Sequence, residues 1–170
     1  QPKLDLASQQ IQGFEALVRW QHPRFGLLLP AAFIPLMEVS EAIHRLTHEV
    51  LRQGLEEQRR WRDKGKDYQL AVNLSPRNLA DERCLNDLAA LVRQFDIAPG
   101  LLELEIAENT LASDPEEAVR LLNCMAGLGV HLAIDGFGAG HSSLAFLRRL
   151  PINTLKIDQS FIQNITESKK

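Results

Sequence analysis

The chain has 170 residues, 45% of them hydrophobic and 24% charged, with a formal net charge of −3. That length suits one sizeable core and so one domain, with the composition of an ordinary soluble globular protein. The charge balance shows no basic stripe, which argues against DNA or RNA as a partner; no apolar run approaches the ~20 residues of a membrane span, and no signal peptide is present.

The first element in chain order is GFEALVRW at 13–20, apolar enough for a strand although Glu15 and Arg19 interrupt it. A segment punctuated by Pro23, Pro30 and Pro35 follows. From about Glu41, residues Ile43, Leu46, Val50, Leu51 and Leu55 keep a helical period, and Gly65 suits the end of that helix. Its mixed-sign run EEQRRWRDKGKD predicts a solvated helix end. QLAVNLS at 69–75 reads as a short buried strand, and Leu85, Leu88, Leu91, Val92 and Phe95 repeat the helical pattern.

LLELEIAEN at 101–109 alternates, with Leu102, Leu104 and Ile106 on one face and Glu103 and Glu105 on the other. Asp114-Pro115-Glu116-Glu117 predicts a helix start: Asp114 caps, Pro115 fits the first position, and the acids suit the dipole. Ala118, Leu121, Leu122, Met125 and Leu128 carry that helix to Gly129. VHLAID is the next strand, Ser142 to Leu150 a short helix stopped by Pro151, and NTLKID a fifth strand.

Alternating apolar strands and helices predict an α/β fold with a parallel sheet covered by helices. The pattern leaves an open sheet and a closed barrel as alternatives. A complete eight-unit barrel needs about 250 residues, so this chain holds only part of one.

In such folds the chemistry gathers at the carboxyl ends of the strands. Four of the five strands bring an acid or amide to an apolar run, namely Glu15, Asn73, Glu105 and Asp135, and the fifth brings Lys156. One acid near a strand end usually serves a salt bridge or a cap. Four oxygen donors arrive together from parallel strands; the carboxylates among them would repel one another, and a hard divalent cation resolves the conflict. Asp135 also opens the stretch DGFGAGHSSL, whose alternating glycines lack both the dinucleotide and the P-loop spacing.

The blocks QPKLDL, GFEALVRWQHP, FIPLMEVS, AVNLSP, LELEIAEN, IDGFGAGHSSL and RLPINTLKID stand in the order and approximate spacing of an EAL domain. The chain therefore resembles that family over essentially its whole length, with Glu15-Ala16-Leu17 as the signature. The resemblance implies a TIM-like barrel with one inverted strand, and hydrolysis of cyclic di-GMP to linear pGpG with Mg²⁺ or Mn²⁺. It implies Glu15, Asn73, Glu105 and Asp135 as metal ligands and Lys156 as the group that holds and polarises the attacking water. It further implies Arg19 and Leu17 at the substrate and Glu108 bracing the loop after Asp135. Fusion to other bacterial signalling domains in the cytoplasm is expected, without membrane contact by this chain, and a homodimer is admitted.

Two departures matter. Active relatives read Asp-Asp-Phe-Gly where this chain reads Asp135-Gly136-Phe137-Gly138, so a carboxylate expected to serve a second metal is missing. If both ions are needed, the rate should fall by several orders of magnitude, and a receptor that binds cyclic di-GMP without cleaving it is the alternative. An interaction domain with no nucleotide role is the third reading. The chain also stops where the family continues into further barrel units that carry another ligating glutamate, and it opens on Gln1 rather than methionine. Residues 1–170 are thus expected to be an EAL domain clipped at its start and truncated at its end, with sheet edges exposed.

Other candidates have plainer readings. His44 and His48 lie four apart on a helix but lack a third zinc ligand, so they read as a helix face. Trp20 and Trp61 read as packing residues, His141 as a loop substitution, and Gln1 as a neighbour of the ligand pocket. Cys84 and Cys124 form no metal-type pair and fit a reduced compartment.

Overall fold

The computed structural model describes residues 1–112, 114–138 and 144–163. A six-stranded sheet forms its centre: β1 (Pro2–Leu4), β2 (Ile11–Ala16), β5 (Gln69–Leu74), β6 (Leu102–Ala107), β7 (His131–Phe137) and β8 (Thr154–Ile157), in that spatial order. The pairs from β2 to β8 are parallel, whereas β1 lies antiparallel to β2. The sheet curls into part of a TIM-like barrel with one inverted strand, incomplete in this chain. Leu155 and Ile157 on the outermost strand β8 are exposed.

The two faces of β6 explain the curl's consequence. Leu102, Leu104 and Ile106 point outward into the helical layer, while Glu103 and Glu105 point into the barrel, and all five are buried. The helical layer comprises α2 (Ala42–Arg62), α4 (Glu82–Gln94) and α5 (Pro115–Ala126). Leu51, Leu55, Leu88, Leu91, Leu121 and Leu122 from these helices meet Leu70, Val72, Leu104 and Ile134 from the strands in one core. Full burial of such a side chain stabilises the fold by ~1.5–3 kcal/mol. At Gly54 the helix sits so close to β5 that a Cβ would meet Leu70 Cδ2 at 2.8 Å. One turn on, the fully buried Gln58 donates through Nε2 to the carbonyls of Tyr68 (2.9 Å) and Leu101 (2.6 Å), tying α2 to the strand entries.

The anticipated helix start at Asp114 holds, with its Oδ1 accepting from Glu117 N at 3.1 Å; Asp81, not anticipated, likewise caps α4. Differences lie at the edges of elements. The 13–20 stretch is not one strand, because β2 ends at Ala16 and Trp20 opens a separate hairpin, β3 (Trp20–His22) with β4 (Gly26–Leu28). The proline-rich segment contains a short helix, α1 (Ile34–Glu38), and another, α3 (Pro76–Leu79), follows β5. The helix expected over Ser142 to Leu150 is α6 (Leu144–Leu147), while Ser142, like Gly140 and His141, lies outside the described residues. Trp61 packs against Phe14 and Tyr68 as expected, and Trp20 stands edge-on to Phe33. Among the described residues no helix is long and apolar enough to cross a membrane.

Candidate functional site

Register decides which side chains meet. Asn73 pairs with Glu105 across β5 and β6, and Asp135 with Ala107 across β6 and β7, so the polar residues collect at the carboxyl ends of the strands. The inverted β1 fixes the first of them, since Glu15 N donates to Gln1 O at 2.7 Å and Gln1 N donates to Glu15 O at 2.8 Å.

The hub of the cluster is the Lys156 ammonium. It lies 2.5 Å from Glu105 Oε2, 3.3 Å from Glu15 Oε2 and 3.5 Å from Asp135 Oδ1. Asn73 Nδ2 donates to the other Glu15 oxygen at 2.9 Å. The five residues singled out on the strands therefore come together in one place. Burial pushes Glu15 up, but the Asn73 amide and the Lys156 charge outweigh it and hold its carboxyl below the usual range. Glu105 moves the other way, raised first by burial and further by the Glu15 charge, with Lys156 opposing. Burial lowers the Lys156 ammonium, yet its carboxylate neighbours prevail and raise it, so the lysine stays charged.

A second tier lies beneath. Glu103 is 1% exposed; one of its oxygens is ion-paired with Lys3 Nζ and the other accepts from Thr154 Oγ1 at 2.7 Å. Lys3 and Thr154 were not among the expected site residues. The signal was present in the two-residue spacings Glu103–Glu105 and Thr154–Lys156, which put each pair on one strand face.

Four carboxylates (Glu15, Glu103, Glu105 and Asp135) thus face two ammoniums (Lys3 and Lys156), a deficit of two positive charges among the described residues. A divalent cation matches that deficit, and the oxygen donors suit a hard ion. Glu105 Oε1 is buried without a hydrogen-bond partner, an orphan acceptor. Among the described residues no three acids, histidines or cysteines draw together as a finished coordination shell. A monovalent cation, the Lys156 ammonium, stands between them instead.

Around the cluster, Arg19 Nη1 donates to its neighbour's carbonyl at Val18 (2.8 Å) and does not join the carboxylates. Leu17 lines a cavity of about 510 Å³ with Ile34, Glu38, Thr47, Asn73 and Pro76. The buried Glu108 accepts from Gly138 N at 2.9 Å, so this acid holds the backbone just beyond Asp135. Gly136 has φ +69°, and among the described residues a Cβ there would meet only Asp158 Oδ2, at 3.7 Å. His44 Nε2 lies 3.2 Å from Asp81 Oδ2. Both cysteines are free, Cys84 buried and Cys124 exposed.

Comparison with known proteins agrees with this fold. The EAL domain family matches residues 1–170. Two Pseudomonas aeruginosa proteins, cyclic di-GMP phosphodiesterase PA2567 and cyclic di-GMP phosphodiesterase NbdA, are 36% and 40% identical over the whole of this chain. The chain spans 29% and 22% of their respective lengths. Among solved structures, the PaMucR phosphodiesterase in complex with c-di-GMP superposes with a TM-score of 0.93 at 36% identity, covering 99% of this chain and 68% of that one. The EAL enzyme Bd1971 with cAMP and cyclic di-GMP bound gives 0.89 at 33% identity, covering 99% and 47%.

Proposed function

Because this chain belongs to the EAL domain family, we propose that it supplies the catalytic wall of a bacterial signalling phosphodiesterase that hydrolyses cyclic di-GMP to linear pGpG. The observation that carries this reading is the convergence of Glu15, Glu105 and Asp135 on one ammonium at the carboxyl ends of parallel strands. Water adds across one P–O3′ bond: its hydroxyl goes to phosphorus, its proton to the departing 3′ oxygen.

Bound Mg²⁺ or Mn²⁺, held by Glu15, Asn73, Glu105 and Asp135, would polarise the phosphoryl oxygen and acidify the attacking water. The remaining work falls to the chain's own groups. Lys156, kept charged by its neighbours, donates to the attacking water and holds it in line with phosphorus. Arg19 exchanges the Val18 carbonyl for a non-bridging phosphate oxygen, with a charge-assisted bond as the gain. Leu17 and the apolar cavity beside Asn73 have the size and lining to take a nucleoside end of the substrate. Glu108 restrains the backbone just beyond Asp135 through the Gly138 N–H.

In this reading the chain is the first part of an EAL domain within a longer cytoplasmic signalling protein, whose further strands cover the exposed side of β8. Nucleic acid is not a partner. The test is to incubate the full natural chain with cyclic di-GMP and Mg²⁺ or Mn²⁺ and follow pGpG, beside Glu105→Gln and Gly136→Asp variants. Turnover by the parent that Glu105→Gln abolishes supports the reading. Turnover by Gly136→Asp alone would make the natural protein a receptor and sink the enzymatic proposal.

A further inference from the structure

The tier beneath the proposed metal ligands has no assigned role, and its geometry is specific. Lys3 enters the barrel from β1, the one antiparallel strand, and its ammonium is ion-paired with Glu103. The same ammonium stands 3.7 Å from Glu105 Oε1, the oxygen that is buried and has no hydrogen-bond partner. Glu105 Oε2 is held from the other side by Lys156 at 2.5 Å. Glu105 is therefore bracketed by two ammoniums, one for each oxygen.

Space for this arrangement comes from small neighbours. Ala71 and Ala133, both fully buried, stand in register beside Glu103 and Glu105 respectively, where larger side chains would fill the path of Lys3. A buried ion pair is weak evidence for stability, because packed apolar residues of similar volume often serve the fold as well or better. What such a pair supplies and apolar packing does not is a fixed direction for a neighbouring charged group.

We propose that Lys3 is a positioning residue for Glu105: anchored on Glu103, which Thr154 holds in turn, its ammonium fixes the direction in which Glu105 presents Oε1 to a divalent cation. This rests on the metal-assisted reading of the site. Outer partners of this kind typically change metal affinity by about 10–100-fold.

The test compares, in the full natural chain, the parent with Lys3→Met/Glu103→Gln and with Lys3→Arg. The double substitution removes both charges, so no uncompensated carboxylate is left behind to unfold the protein. Three quantities are read: melting temperature in EDTA, Mn²⁺ affinity by titration calorimetry, and kcat and KM for cyclic di-GMP at saturating Mn²⁺. The expected result is a melting temperature near the parent's, Mn²⁺ binding weakened about tenfold, and a lower kcat at unchanged KM, with Lys3→Arg restoring most of the affinity. Weakened Mn²⁺ binding in the double variant supports the proposal even if the parent cleaves nothing, a result that would refute only the hydrolytic reading. Equal Mn²⁺ affinity in parent and double variant overturns the proposal and reduces the pair to a structural tie, while turnover by the parent would leave the reading standing. A parent that binds no Mn²⁺ overturns both.

Discussion

Lys156→Met is the sharpest probe of the cluster, because one side chain serves three carboxylates. The ammonium lies 2.5, 3.3 and 3.5 Å from Glu105, Glu15 and Asp135, and the Glu105 side chain is wholly buried. Removing one partner of a buried pair costs about 3–5 kcal/mol. The lower end applies, since 26% of the Lys156 side chain is exposed and water shares its charge. With about 2–4 °C per kcal/mol for a domain of this size, the variant should melt roughly 6–12 °C below the parent at pH 7 in EDTA.

The loss should depend on pH with a definite sign. The folded pKa of Glu105 lies above its ordinary 4.5, so its contribution favours the fold below that value and is lost as pH rises through the raised one. Removing Lys156 takes away the group that opposes this rise. Glu15 adds in the same sense, because its folded pKa is held down by Asn73 and Lys156, and that stabilisation is complete above its ordinary 4.5 and is lost as pH falls through the lowered value. The gap between parent and variant should therefore be wide at pH 7 and narrow toward pH 4.5, followed by thermal melting at a series of pH values. Mn²⁺ should raise the variant's melting temperature more than the parent's, since the cation enters an uncompensated cluster. Parent and variant melting within about 1 °C at pH 7, or a gap independent of pH, would refute the electrostatic account.

Three further perturbations address other parts of the fold. Gly136→Ala makes only an ordinary contact with Asp158 Oδ2 among the described residues but forces a Cβ onto φ +69°, so a loss of about 1–2 kcal/mol is expected from urea denaturation, and no loss would mean the backbone there relaxes freely. Gln58→Leu removes the amide donor from the Tyr68 carbonyl and one of two donors from the Leu101 carbonyl, which keeps Leu70 N at 2.8 Å, and should destabilise by about 1–3 kcal/mol; a neutral result by the same assay would mean water replaces the amide. The thiols should separate by reactivity with a disulfide reagent at pH 8. Exposed Cys124 should react at once, and Cys84, buried and pushed up to about 11, only on unfolding, whereas two equally fast thiols would show that α4 opens readily.

What the sequence determined by itself was the order of elements and the residues able to carry the chemistry. Hydrophobic period and helix caps are local: Asp114 sits three residues from the N–H it caps, and Leu51 and Leu55 mark one helix face whatever surrounds them. Glu15, Asn73, Glu105, Asp135 and Lys156 were legible for the same reason, since each interrupts or ends an apolar run. The boundary at Ala16 was not, because whether GFEALVRW continues as one strand depends on its pairing with β5, whose last pair is Ala16 with Val72, a partner 56 residues away in sequence. The burial of Glu103 was hidden too. Strict alternation reads as one wet face and one dry face, and only the curl of the sheet turns the polar face into an interior. That curl brings Lys3, Glu103 and Thr154, separated by up to 151 positions, into one chain of contacts. Pairwise contact across such distances is set by register and closure, which no local pattern encodes. The tertiary structure alone decided that the acids share a single ammonium and that a second ammonium stands behind Glu105.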